Sequence, residues 1–212
     1  MSDRIRLMVE AAPKRVFVAA LHWPGWVRGG KDEGLAVEAL LAAAPRFAAV
    51  TAEAGLAFDP DSLDLDVVER LPGGSGTEFG VPSAIAEADR VPVDAAEAAR
   101  LAAIVEAAWV VFDRVAAAAP EELRKGPRGG GRDRTKIVGH VNEADEAYAR
   151  EIGLASRPNE VPALRAAMLE VLRTPSDGSP LAGRRWTQRY AARRIAWHAL
   201  DHAWEIEDRT ER

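Results

Sequence analysis

The sequence predicts an α+β fold in which a small N-terminal strand-hairpin and helix module, residues 1–92, precedes a C-terminal antiparallel four-helix bundle, residues 93–212. Short β-branched runs separated by turn residues fill the first part. Beyond Asp94, apolar residues recur at helical spacing in four segments with short connections. The net charge also changes at this boundary. Asp and Glu outnumber Lys and Arg by five in the first part and equal them in the second.

The N-terminal module begins with a predicted hairpin. Ile5–Ala11 and Val16–Leu21 are alternating or β-branched apolar runs, and Pro13-Lys14 separates them as a turn. Trp23-Pro24-Gly25-Trp26 predicts a second turn, since proline restricts φ and glycine accepts a positive φ. We therefore expect two paired strands before the first helix.

A kinked helix and one more strand complete the module. Lys31–Ala54 has helical character, and Pro45 is expected to kink or split it. Leu63–Leu71 predicts a further strand, and after the glycine-rich loop at 72–76 only a short extended piece is expected, near Phe79–Val81. The predicted apolar stripe of the kinked helix consists of Leu35, Leu40, Leu41 and Phe47.

Local signals set the ends of the four predicted C-terminal helices. Asp94 and Glu97 have the spacing of a capping box, and Gly153 is a typical helix stop. Asn159 is expected to cap the third helix, with Pro162 tolerated in its first turn. The predicted helices are Asp94–Ala119, Arg134–Ile152, Asn159–Arg173 and Arg185–Asp208.

Composition excludes several kinds of site and partner. The chain has no cysteine, which removes disulfides, zinc ribbons, iron–sulfur clusters and a cysteine nucleophile. Its net charge of -5 argues against a duplex-wide phosphate footprint, so we expect no nucleic-acid partner. No apolar run approaches the ~20 residues of a membrane span, and the N-terminus lacks a signal-peptide core. A cytoplasmic protein is expected, and the alanine-rich helix faces are compatible with a homodimer.

Three of the four histidines fall in the helical part. His198 and His202 are spaced i, i+4, so both imidazoles lie on one helix face, about 5–6 Å apart at Cβ. His140 lies at the edge of the apolar stripe of the second helix and is expected to point into the bundle. The spacing leaves two interpretations open, a solvated surface stripe and a site that binds one divalent metal ion.

The metal interpretation specifies a donor set but no reaction. Three neutral imidazoles suit zinc, nickel, copper or iron, with zinc or nickel leading, and leave positions for water and substrate. Ala199 follows His198, so the HExxH pattern of metalloproteases is absent. A base must then come from Asp201, Glu205, another helix or the metal-bound water.

A family resemblance rests on three features: Gly139-His140-Val141 with Glu143 and Asp145 after it, Arg185-Trp186-Thr187, and the His198/His202 pair. Their order resembles the DinB-like superfamily of bacterial four-helix bundles, which includes metal-dependent thiol transferases and hydrolases. The resemblance covers roughly residues 94–212 and implies that His140, His198 and His202 bind a divalent metal. It also implies a low-molecular-weight thiol such as mycothiol, which the cysteine-free chain cannot supply itself.

The N-terminal part resembles the small HicB-like module, a strand hairpin plus helix. The matching elements are Val16–Leu21, the Pro24-Gly25 turn, Gly30 and the helix that begins at Lys31-Asp32-Glu33. Trp26 stands where that family often has a cysteine, and no ribbon-helix-helix or helix-turn-helix element is evident downstream. The resemblance favours a rival function, in which the module contacts a protein partner and the bundle is not catalytic.

The leading functional expectation is a metal-dependent transferase or hydrolase that acts on a small molecule. Arg194, near the histidine face, is a candidate for binding an anionic substrate, since guanidinium groups clamp carboxylates. Glu205 is a candidate for substrate contact and proton handling. The other arginines of the last helix are expected to form salt bridges, and His22, Trp23 and Trp26 to cover the core of the small sheet.

Overall fold

The computed structural model describes residues 4–126, 131–154 and 160–210, and within them the fold is mixed α/β, with one four-stranded sheet and seven helices. Helical residues predominate. The strands are β1 (Ile5–Ala12), β2 (Arg15–Ala20), β3 (Val27–Gly30) and β4 (Leu65–Pro72). The helices are α1 (Glu33–Ala42), α2 (Ala44–Glu53), α3 (Ser75–Glu78), α4 (Ala95–Ala118), α5 (Arg134–Glu151), α6 (Val161–Arg173) and α7 (Gln188–Thr210).

The sheet has the strand order β3-β2-β1-β4. The predicted hairpin is confirmed, because β1 and β2 pair antiparallel with Val9 opposite Val18. The predicted third strand is also present and pairs with β1 in parallel. Sequence reasoning missed β3, a four-residue strand that ends in two glycines. Gly30 is required there, because a Cβ at this position would lie 2.5 Å from the backbone nitrogen of Ala36.

The predicted break at Pro45 is confirmed, since α1 and α2 meet there at a bend of 50°. The predicted apolar stripe is only half right. Leu40 and Phe47 are fully buried, whereas Leu35 and Leu41 are 45% and 40% exposed. The expectation failed because only a narrow face of α1 packs against the sheet, through Ala36 and Leu40.

The predicted extended piece at Phe79–Val81 is wrong. Residues 75–78 form the short helix α3, and Phe79 and Gly80 form a turn in which Gly80 has a φ of +96°. The buried carboxylate of Glu10 explains the compact path. It accepts hydrogen bonds from the Thr77 hydroxyl and from the backbone N–H groups of Ser83 and Ala84, which draws this segment onto β1.

The first three long helices begin or end where local signals predicted. Asp94 caps α4 by accepting a hydrogen bond from the backbone N–H of Glu97 at 2.8 Å. Gly153, with a φ of +92°, follows the end of α5. Pro162 lies in the first turn of α6, as expected. The predicted cap Asn159 lies outside the described residues.

The last helix begins at Gln188, three residues later than predicted. Leu181–Gly183 forms a 3-10 turn before it. The Thr187 hydroxyl then accepts a hydrogen bond from the backbone N–H of Tyr190, so this side chain caps the helix. Arg185 therefore belongs to the incoming loop.

One hydrophobic cluster runs through the sheet and the long helices, with Val18, Phe47, Leu101 and Ile195 among its fully buried members. Helix α7 packs against α4 and α5, and α6 packs against the same two helices. Division into modules at residue 92 stays a prediction. Taken singly, no described helix has the length and apolarity to cross a membrane, and α1 and α2 reach them only as a bent pair.

Candidate metal centre

The structure brings three predicted ligands together. His140 of α5 and His198 and His202 of α7 each offer a ring nitrogen, and these nitrogens all lie within 4.8 Å of one another. The Nε2 atoms of His140 and His198 are 3.2 Å apart. Two nitrogens bound to one tetrahedral ion at 2.0–2.1 Å would lie about 3.3 Å apart. This pair of side chains thus already has the separation of two ligands of one ion.

Helix geometry and packing produce the cluster. The i, i+4 spacing stacks His198 and His202 on one face of α7, with ring centroids 4.7 Å apart. Because α5 packs on that face, the ring of His140 approaches both from the opposite side, at 5.0 Å. His198 and His202 are only 6% and 9% exposed. The interpretation of this face as a solvated stripe is therefore wrong.

Burial favours the neutral form of two of the three imidazoles, those of His140 and His198. Desolvation, with a further contribution from the charges of His202 and Arg194, lowers the pKa of His198 to about 2. Burial also lowers the pKa of His140, and the positive charge of Arg132 adds to the effect. A neutral imidazole has a free lone pair on one nitrogen, which is the form that binds a metal.

Glu205 orients the third histidine. Its Oε2 lies 2.8 Å from Nδ1 of His202, and its Oε1 accepts a hydrogen bond from Arg209 at 2.8 Å. The hydrogen bond with His202 is the main reason that the pKa of Glu205 is lowered. With Nδ1 committed to the carboxylate, His202 has Nε2 left as its ligand atom. A carboxylate behind a ligating histidine is common in metal sites, where it sets the tautomer and the ring orientation.

One ring nitrogen of the cluster has no partner. Nδ1 of His198 is buried and makes no hydrogen bond within the described part of the chain. Trp197 Nε1, on the neighbouring residue, is in the same state. Buried polar atoms without partners cost free energy, and four further side-chain atoms of the described residues, on Arg165, Gln188, Arg193 and Arg209, share this state.

Arg194 lies beside His198, as the sequence predicted. Its guanidinium lies 4.7 Å from the ring of Trp197 and 5.4 Å from that of Tyr148, and Nη1 donates to the carbonyl of Pro82 at 3.2 Å. Tyr148 in turn packs edge-on to His198, at 5.6 Å between centroids. Tyr148 and Trp197 were not among the residues predicted for the site. Their positions in the sequence could have suggested a place in the site, because each flanks the histidine face of its own helix, Tyr148 on α5 and Trp197 on α7.

The remaining charged side chains that the sequence singled out on the last helix form salt bridges. Asp201, proposed as a base, is paired with Arg28 at 3.3 Å, and burial is the main reason that its pKa is raised. The expectation of salt bridges is confirmed for Arg189, which pairs with Glu97, and for Arg193, which pairs with Asp89.

The two tryptophans near the first histidine pack as expected, whereas His22 does not cover the core. Trp26 is fully buried and stacks on Phe47, while Trp23 packs edge-on to Phe47 and Phe58. These rings cover the core beneath the N-terminal sheet. His22 is exposed in the adjoining turn and is not part of the histidine cluster.

Comparison with known proteins identified no relative of this chain. No protein-family model, no curated protein and no solved structure matches this chain. The DinB-like and HicB-like resemblances thus stay predictions, and function is argued from the geometry of the centre.

Proposed function

We propose that the chain is a metal-dependent enzyme whose divalent ion, zinc or nickel, is held by His140, His198 and His202. The observation that carries the proposal is the convergence of three imidazole nitrogens from two helices within 4.8 Å. Two further features support it: the histidines of α7 are buried, and Glu205 fixes the ring of His202.

The scaffold that we propose for the centre is an antiparallel four-helix bundle of α4, α5, α6 and α7. Each of these helices packs against two of the others, which supports a closed arrangement. Facing helices of such bundles commonly supply metal ligands to the interior, which is the role that we propose for α5 and α7.

A divalent ion with three imidazole ligands supplies Lewis acidity at its remaining positions, where water, a carbonyl or a thiol can bind. Side chains near the ion would bind the substrate and position the ligands. Arg194 receives an anionic group of the substrate, and Tyr148 and Trp197 shield that contact from water. Glu205 is already engaged by His202 and Arg209, so its role is to position a ligand.

The reaction class that we propose is S-transfer or hydrolysis on a small molecule. Since the chain contains no cysteine, any thiol has to come from outside, as a low-molecular-weight cofactor such as mycothiol. Neutral imidazoles leave the net positive charge of the ion uncompensated, which favours an incoming thiolate.

A thiol titration of the cobalt-loaded protein tests this reaction class. We expect a thiolate-to-cobalt charge-transfer band to develop in the near-ultraviolet with wild type and to be absent from His198→Ala. If cobalt binds but its absorption spectrum does not change with any thiol tested, the thiol-dependent reaction is excluded. Metal retention without turnover of any thiol and electrophile pair would favour the rival, a non-catalytic protein whose N-terminal module contacts a partner.

A further inference from the structure

A basic groove lies where the β1–β2 turn, β3, α2 and α7 meet. It encloses ≈ 850 Å³ and is lined by five cationic side chains against a single carboxylate, that of Asp201. The cations are Lys14, Arg15, Arg28, Lys31 and Arg46. They come from separate elements of a chain whose net charge is -5, so the fold concentrates positive charge here against the overall trend.

Two of these cations form the back of the groove and are held in place. Arg28 donates to Asp201 at 3.3 Å and stacks over the ring of Trp204, with 4.3 Å to the centroid. Arg46 pairs with Asp208 at 2.5 Å. Their positions are therefore set before any ligand arrives, which reduces the entropy cost of binding.

The other three cations, Lys14, Arg15 and Lys31, are exposed. In the described ranges, no carboxylate lies within salt-bridge distance of any of them. The guanidinium of Arg15 lies beside Gly80, where a Cβ would be 2.7 Å from Nη1. Placing like charges side by side costs free energy, and an anion in the groove would offset that cost.

Small residues leave the groove open. Gly29, Gly30, Ala39 and Ala42 form much of its wall, so no large side chain fills the space between the cations. The volume lies within the range of roughly 300–1,000 Å³ that is typical of small-molecule sites. A compact ligand fits this space, and a ligand with one charge would compensate only one of the three cations that form no salt bridge among the described residues, Lys14, Arg15 and Lys31.

We propose that this groove binds a small polyanion that carries at least two phosphate groups. Guanidinium and ammonium groups are the usual protein ligands of phosphate, and arginine can clamp it with two parallel hydrogen bonds. The acidic remainder of the chain disfavours a long nucleic acid, whose phosphates would extend past the groove. None of the three clustered histidines lines the groove, so the site is separate from the candidate metal centre.

Calorimetric titration of the full-length, metal-depleted protein with inorganic pyrophosphate tests the proposal. We expect one saturable site, and we expect Arg15→Gln and Lys31→Gln each to weaken binding by about tenfold, as the loss of one charge-assisted hydrogen bond does. Arg114→Gln is the matched control. It removes the same charge from an exposed residue of α4 that pairs with Glu53 outside the groove, and it should leave pyrophosphate affinity unchanged.

Three results would overturn the proposal. They are the absence of saturable binding, an equal loss of affinity in Arg114→Gln, and binding of a single-stranded oligonucleotide that pyrophosphate does not displace. Circular dichroism of each variant verifies that it is folded. His198→Ala should bind pyrophosphate as wild type does, so failure of the metal proposal and failure of this one are distinguishable.

Discussion

The contact between His202 and Glu205 sets the orientation of a candidate ligand. The two side chains lie 2.8 Å apart on consecutive turns of α7, and Arg209 holds the second oxygen of the same carboxylate. Replacing one oxygen of Glu205 by an amide nitrogen would weaken this hold without removing a ligand. Metal affinity should therefore change while the histidines remain in place.

We expect Glu205→Gln to lower zinc affinity by about 10- to 100-fold, the usual effect of losing a carboxylate behind a ligating histidine. Competition with a chromophoric chelator measures the affinity. Glu170→Gln, which changes an exposed carboxylate on α6, is the control and should bind zinc as wild type does. Equal zinc affinity in wild type and Glu205→Gln would contradict the positioning role.

For individual residues, the sequence predicted which side chains of the candidate centre meet, but not the hydrogen bonds and packing contacts that position them. The i, i+4 spacing and the inward register of His140 follow from helix geometry, so the meeting of the three candidate ligands and the neighbouring Arg194 could be predicted. The partners of Glu205, and the place of Tyr148 against His198, depend on how α5 packs on α7. That packing joins residues 50 positions apart in the chain, and no local pattern encodes it.

An internal ion cluster ties three of the long helices together. Arg165 of α6 donates to Asp145 of α5 at 3.0 Å and to Asp113 of α4 at 2.9 Å. Trp109 of α4 donates to the same Asp145 carboxylate at 3.3 Å. Asp145 is 2% exposed, and desolvation outweighs the attraction of Arg165 to raise its pKa to about 6.

This raised pKa predicts a pH dependence of stability. The unfolded chain loses the Asp145 proton near the ordinary value of 3.8, whereas the folded protein keeps it up to about 6. Protonation therefore favours the folded state, and the stability that Asp145 contributes falls as the pH rises through this window. We expect the free energy of unfolding of wild type, relative to Asp145→Asn, to fall by about 3 kcal/mol between about pH 4 and pH 7.

Urea unfolding of both proteins across this range measures the difference, and the comparison removes the contribution of every other titrating group. If the free energy of unfolding of wild type and of Asp145→Asn changes in parallel with pH, the Asp145 carboxyl has the same pKa in the folded and unfolded chains. That result would contradict a raised pKa in the folded protein.

Several element boundaries could be predicted from a single residue. Asp94 caps α4, Pro45 breaks the first helical segment, and Gly153 follows α5 with a positive φ. β3 could not be predicted, because Val27–Gly30 has no alternating pattern and becomes a strand only by pairing with β2. Leu41 is exposed for a related reason, since tertiary contacts select which apolar face of α1 is buried.

The sheet and the long helices meet directly at one turn. Gly25, between β2 and β3, has a φ of +91°, and a Cβ there would lie 2.8 Å from Leu200 Cδ1 and 3.1 Å from Ala196 Cβ on α7. The shared hydrophobic cluster continues from this contact into both parts of the chain. We therefore expect the chain to unfold in one cooperative transition.

Gly25→Ala tests the close approach against a control with similar strain. Gly55 also has a positive φ, +69°, but a Cβ there would touch nothing within 4 Å. We expect Gly25→Ala to be less stable than Gly55→Ala by about 1–3 kcal/mol, because only the former overpacks the contact with α7. Denaturant unfolding followed by tryptophan fluorescence and circular dichroism gives both numbers. Equal losses, or two separate transitions, would contradict the shared core.

Metal content is the most direct test of the centre on which the proposed function rests. Wild type, His140→Ala, His198→Ala, His202→Ala and the matched control His22→Ala are each incubated with zinc or nickel, dialysed and analysed for bound metal. We expect about one equivalent of metal in wild type and in His22→Ala, and a loss of bound metal in each of the other three variants. Wild type that retains no ion, or a His198→Ala protein that retains a full equivalent, would contradict it.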